Sequence, residues 1–122
     1  MNNRFNFRAW YNNEFIYIKN LTDTNYYNSD NKCLGLVNTL PNDLTWEQCT
    51  GILDKNEKLV YENDILKIYT NRFLKYFYVK IIWDNKLARF MVKNNCIYTT
   101  LDELYSYFET VGNIHQNPKL ME

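Results

Sequence analysis

The side chains that could carry chemistry in this chain are few, and they are scattered. Its 122 residues include one His, His115, and three Cys, Cys33, Cys49 and Cys96. A lone imidazole beside Gln116, Asn117 and Pro118 reads as a structural or surface residue rather than a general base. The two serines, Ser29 and Ser106, stand in no nucleophile elbow, and glycines at 35, 51 and 112 are too far apart to cradle a phosphate. An odd number of widely spaced cysteines with one His makes no zinc pattern and reads as reduced thiols. Asp54, Glu57, Glu62 and Asp64 form an acidic group that turns could gather around a divalent cation. Carboxylates in turns, however, ordinarily accept amide hydrogens at strand starts. No catalytic residue, metal or cofactor is expected, and an enzyme is the least favoured reading.

Binding chemistry is better represented. The formal net charge is zero, so there is no global attraction for nucleic acid or an anionic membrane, but the charges are segregated. Asp43, Glu47, Asp54, Glu57, Glu62 and Asp64 are set against Lys55 and Lys58 alone. Further on, Arg72, Lys75, Lys80, Lys86, Arg89 and Lys93 are opposed by Asp84 alone. Tyr76 and Tyr78 interleave with the second group. A basic aromatic hairpin over 72–93 can be read as a single-strand nucleic-acid surface, as a solvated sheet face with Tyr packed across strands, or as half of a contact between copies of the chain. Tyr26 and Tyr27, adjacent aromatics in a polar stretch, are candidate contact residues for a protein partner.

These residues need elements to hold them. A 46% hydrophobic fraction, with 17% aromatics and only 3 Gly and 2 Pro, describes one folded domain over 1–122. Short runs of β-branched and aromatic residues broken by Asn and Asp clusters predict antiparallel strands. Phe5, Phe7 and Ala9 alternate with Arg4, Asn6 and Arg8, which places the apolar set on one face. Asn12-Asn13 turns the chain into Glu14 to Lys19, giving a first hairpin. Residues 20–32 are too polar to bury and read as a long loop. Asp54-Lys55-Asn56-Glu57 joins two strands as a tight turn. A long strand through Trp83 turns at Asp84-Asn85-Lys86 into Leu87 to Val92. Thr100-Leu101-Asp102-Glu103 matches a capping box, and Leu101, Leu104, Tyr105 and Phe108 predict one short amphipathic helix ending near Phe108, with a strand from Glu109. Nothing resembles a signal peptide or membrane span, so a soluble intracellular protein is expected.

Three ordered motifs resemble the YopX family of phage and prophage proteins from low-GC bacteria. Thr50-Gly51, Asp54-Lys55-Asn56, Lys58, Tyr61-Glu62 and Asp64-Ile65 follow its central segment, Y-T-G-L-K-D-K-N-G-K-E-I-Y-E-G-D-I-V. Phe7-Arg8-Ala9-Trp10 follows F-R-A-W near the start. Val111-Gly112-Asn113-Ile114 with Asn117-Pro118-Lys119-Leu120 follows V-I-G-N-I-Y-E-N-P-E-L near the end. Glu57 and Asn63 replace the family's usual Gly; Glu57 hints at a different hairpin turn, and Asn63 at a residue that tolerates positive φ. The resemblance implies a mainly β protein, a small SH3-like barrel of antiparallel hairpins with one short C-terminal helix. It also implies a non-catalytic accessory role in the bacterial host cytoplasm: binding a host or phage macromolecule, in the manner of a modulator of host defence, with nucleic acid as the alternative partner and self-association open.

Overall fold

The structure is a computed structural model that describes residues 6–70, 75–101 and 108–121. It is mainly β and antiparallel, with two short 3₁₀ helices, Val37–Thr39 and Pro118–Met121, among the described residues. None of the described helices is long and apolar enough to cross a membrane. The chain divides into two compact units, one ending at Cys49 and the other starting at Thr50.

In the first unit β1 (Phe7–Tyr11) and β2 (Glu14–Ile18) form the expected hairpin, in register from Phe7 opposite Ile18 to Tyr11 opposite Glu14. Asn12 and Asn13 both take positive φ, 52° and 64°, the geometry a two-residue hairpin turn requires and Asn tolerates. Residues 20–32 are not simply a loop. β3 (Asn25–Tyr27) pairs with β2 through Tyr27 opposite Tyr17, and β4 (Cys33–Leu36) pairs with β3 across a bulge. The polar residues that looked like loop serve its turns: Asn28 Oδ1 accepts the amides of Asp30 and Lys32, and Asp23 accepts those of Lys19 and Asn20. Ala9, Ile16 and Leu40 make a small core with Tyr11, Tyr26, Leu44 and Trp46 against it. The alternation places Ala9 inside as expected, but Arg8 on the opposite face is buried too. Its Nε donates to Glu47 Oε1 at 2.8 Å, at the first residue of β5 (Glu47–Leu53), and its guanidinium lies 4.0 Å from the Phe15 ring centroid. A charge survives burial when it is paired and stacked in this way.

The second unit takes up β5 from Thr50 and turns through Asp54–Glu57 into β6 (Leu59–Tyr61). A five-stranded sheet follows, built from β7 (Asp64–Thr70), β8 (Lys75–Asp84), β9 (Arg89–Lys93), β10 (Tyr98–Thr100) and β11 (Phe108–Asn113), in the order β10-β9-β8-β7-β11. One sheet face carries the core: Leu66 and Ile68 from β7, Val79 and Ile81 from β8 and Val92 from β9, with Val60 and Leu101 added. Full burial of such a side chain stabilises by about 1.5–3 kcal/mol. The turn after β8 is longer than expected and takes in Leu87 and Ala88, because Asp84 Oδ1 accepts the amides of both Lys86 and Leu87. The expected SH3-like barrel does not appear: β10 and β11 lie at opposite edges of an open sheet, and no sheet closes on itself among the described residues. The expected helix from Leu101 to Phe108 falls on residues 102–107, outside the described residues. Phe108 already begins β11, in agreement with a strand from Glu109.

Candidate functional site

The residues of the central and last motifs build turns. Asp54 directs one carboxylate oxygen to the amides of Asn56 and Lys58 and the other to the amide of Thr110, so one side chain closes its own hairpin and ties it to β11. Burial alone raises the Asp54 pKa, but the Thr110, Lys58 and Asn56 amides more than offset that and hold it below the ordinary carboxylate value. Glu57, where the motif usually has Gly, takes a left-handed backbone at φ 62°. Asn63 does the same at φ 66°, as its tolerance of positive φ predicts; its amide donates to Ile81 O and its carbonyl accepts from Ile114. Asp64 accepts the Tyr61 amide at 2.9 Å. Thr50 donates its hydroxyl to Val60 O across β5 and β6, and Gly51 supplies φ 79° beside it.

The last motif works in the same way. Asn113 Oδ1 accepts the amides of His115 and Gln116, its Nδ2 donates to Gln116, and Asn117 closes the loop onto Asn113 from the other side. A Cβ on Gly112 would stand 2.7 Å from Asn117 Cγ, so any other residue there must displace the Asn117 side chain. Pro118 then begins a 3₁₀ helix. In the first motif, Trp10 meets Phe15 edge-on at 4.9 Å and Arg8 holds Glu47. Of the four hairpin acids, Asp54 and Asp64 are turned onto backbone amides. Among the described residues no three His, Cys, Asp or Glu side chains converge to hold a metal ion.

The other face of the five-stranded sheet buries Ile65 and Met91 but turns Tyr76 and its neighbours outward. Register sets Tyr69 opposite Tyr76, Lys67 opposite Tyr78 and Ile65 opposite Lys80. Lys67 Nζ lies 4.0 Å from the Tyr76 ring centroid and 5.2 Å from that of Tyr69, while Lys55 Nζ stands 4.8 Å over Tyr69. Tyr76 and Tyr78 meet edge-on at 5.7 Å, and Tyr76 is 53% exposed. Tyr69 donates its hydroxyl to Glu109 at 2.5 Å, with Lys55 Nζ 3.8 Å from the same carboxylate. That hydrogen bond, then the Lys55 and Lys67 charges, hold the Glu109 carboxyl below its ordinary pKa. Desolvation works to lower the pKa of Lys67, but Tyr69 foremost and then Tyr78 and Tyr76 carry it above the ordinary lysine value, so the ammonium stays charged. The face is therefore a row of aromatics on β7 and β8, capped by lysines.

The structure brings Tyr76, Tyr78 and Lys80 together on β8 and separates them from the other expected contact residues. Arg89 stands opposite Asp84, at the far end of β8 from Tyr76. Lys75 opens β8, with its side chain outside the described residues; Arg72 lies outside them altogether. Tyr26 and Tyr27 are not exposed loop aromatics. Both are half-buried in β3, Tyr26 against the Ala9 core and Tyr27 under Lys19 Nζ at 5.6 Å. Sequence reasoning misses Lys67, Tyr69, Glu109 and Lys55. The available signal was the alternation of Lys67 and Tyr69 in β7, which any tight β7–β8 pairing sets beside Tyr76 and Tyr78.

The YopX protein family model matches residues 6–122, which takes in all three motifs. A search of curated proteins finds no match.

Proposed function

The chain belongs to the YopX family, and from that premise we propose that it is a non-catalytic phage or prophage accessory protein that binds a macromolecule through the Lys67, Tyr69, Tyr76 and Tyr78 face. The observation that carries this reading is an exposed Tyr76 set beside a second Tyr and under a lysine on hydrogen-bonded strands. Tyr offers a large contact area with little conformational freedom to lose, and rigid strands keep that loss small. The motif residues support it from the other direction, since their polar atoms are engaged in turns. A protein of the host or the phage is the partner this face suits best, with a modulating role in the bacterial cytoplasm such as interference with defence. The open sheet is sufficient for this; the SH3-like closure expected from the resemblance is not required.

The test is recovery of a partner from a lysate of the natural host with wild-type chain and with a Tyr76→Ala, Tyr78→Ala variant of equal melting temperature. Loss of the partner in the variant is expected; equal recovery places the contact elsewhere. One observation favours nucleic acid as the second reading: Tyr76, Tyr78 and Lys80 follow one another on one face of β8, each about 7 Å from the next. A shift of short single-stranded DNA or RNA that weakens steeply with salt would select it. Mass in solution reads self-association through the same face.

A further inference from the structure

Beyond the aromatic row the same sheet face carries a second feature. Lys80 of β8 stands directly opposite Lys93 of β9. Directly opposed residues have Cβ atoms about 5 Å apart, and like charges there destabilise the pair. The neighbouring strands do not relieve this. On the β7 side Lys80 faces Ile65, which is fully buried. On the β10 side Lys93 faces Tyr98, whose hydroxyl donates to Asp84, a carboxylate that also holds the Lys86 and Leu87 amides. Neither lysine forms an ion pair among the described residues.

Both lysines line a cavity of about 300 Å³, with Asn94, Asn95, Ile114, Pro118 and Met121. Asn94 fixes its rim, donating to Tyr78 O at 3.0 Å and accepting the Cys96 and Ile97 amides at 2.7 and 2.8 Å. Asn95 beside it has an exposed side chain with no hydrogen bond among the described residues. Ile114, Pro118 and Met121 form an apolar wall, held by the Asn113 and Asn117 turn. Two ammoniums and an amide, unpaired among the described residues and set beside an apolar wall, complement a dianion attached to an organic body. A single carboxylate or phosphodiester would balance only one of the two lysines.

We propose that Lys80, Lys93 and Asn95 form a binding site for a phosphate monoester whose organic part rests on Ile114, Pro118 and Met121. The site shares Lys80 with the nucleic-acid reading but stands apart from the Lys67, Tyr69, Tyr76 and Tyr78 docking face, since it needs no partner on the tyrosine row. Two sources share this chemistry, a free nucleoside monophosphate and the 5′-phosphate end of a strand.

The test is titration of the isotope-labelled full chain, followed by amide NMR, with inorganic phosphate, adenosine monophosphate, adenosine and a short oligonucleotide carrying either a 5′-phosphate or a 5′-hydroxyl. Saturable shifts confined to Lys80, residues 93–96 and residues 114–121 are expected with adenosine monophosphate and not with adenosine. The Lys80→Gln, Lys93→Gln variant should bind at least about tenfold more weakly, while Lys93→Arg keeps most of the affinity. Phosphate monoester should raise the melting temperature of the wild type and not of the double variant. That variant should be no less stable than wild type without ligand, because a repulsion has been removed. A phosphorylated strand that binds where its hydroxyl twin does not, and more tightly than the mononucleotide, assigns the site to strand ends; equal binding of strand and mononucleotide assigns it to the free nucleotide. Adenosine binding as tightly as its monophosphate, shifts spread over all lysines, or an unweakened double variant would overturn the proposal. A Tyr76→Ala, Tyr78→Ala variant that loses its macromolecule but keeps the monophosphate separates this site from the docking face.

Discussion

Polar side chains on the turns and polar side chains on the outer sheet face of the second unit stand in opposite situations. Asp54, Asp64, Asn113 and Asn117 point at backbone amides, and what they hold is the chain itself. Lys80 and Lys93 point at no carboxylate among the described residues, and Tyr76 points at solvent. Asp54, Asp64, Asn113 and Asn117 all belong to the motifs, so this part of the motifs serves the fold. In the function proposed above, recognition falls to the second group. Substitutions in the first group should therefore move stability, and substitutions in the second should move binding alone.

The largest effect is expected where an engaged charge is also buried. Arg8 and Glu47 expose only 5% and 3% of their side chains. Glu47→Ala takes the paired carboxylate from a buried guanidinium and should cost about 3–5 kcal/mol, read as a fall in the urea midpoint, while Arg8→Met with Glu47→Leu should recover most of it. Next comes Gly112→Ala. Its φ is not positive, so the backbone accepts Ala, but the new methyl drives Asn117 off Asn113 and should cost about 1–3 kcal/mol. Pairing it with Asn117→Ala should give less than the sum of the two single losses in a double-mutant cycle.

Asp54→Asn should cost about 1–3 kcal/mol, since amides that now donate to a carboxylate would donate to a neutral acceptor or none. The effect has a pH signature. The folded-state pKa of Asp54 is depressed, so the stability it contributes is complete above the unfolded value of about 4 and is lost as pH falls through that value toward the folded one. Wild type and variant should differ most near neutrality and converge in acid, with urea midpoints measured against pH as the check. A gap independent of pH would show that Asp54 acts by shape alone.

The turn group was legible in the sequence because its chemistry is local. Asp54 to Glu57 announces a turn from within four residues, and Asn12-Asn13 and Asn63 announce positive φ by type. Glu57 is the instructive residue: it takes the left-handed backbone in a loop held by the Asp54 bonds to the Asn56 and Lys58 amides, a conformation that strains a non-Gly residue. Glu57→Gly should therefore stabilise by up to about 1 kcal/mol, and Asn63→Gly by much less, in thermal melts. What was not legible depends on pairing across distance. Arg8 is buried because Glu47 lies 39 residues away in sequence, β3 forms because Tyr27 finds Tyr17, and Lys67 joins the tyrosine row only through the β7–β8 register. The open sheet order is likewise a property of which strands end at the edges, which local alternation does not encode.

The smallest stability effect is the sharpest test of the contrast. Tyr76 is half in solvent, and among the described residues it would surrender an edge contact with Tyr78, the overlying Lys67 and its place opposite Tyr69. Tyr76→Ala should shift unfolding by no more than about 0.5 kcal/mol, the range of surface substitutions away from caps and cores. The same change should remove the macromolecular partner, because an aromatic anchor at a contact centre carries far more of binding than of folding. A large loss of stability from Tyr76→Ala would mean that the row of tyrosines is engaged in the fold as fully as the turn carboxylates are, and the distinction between the two groups would fall with it.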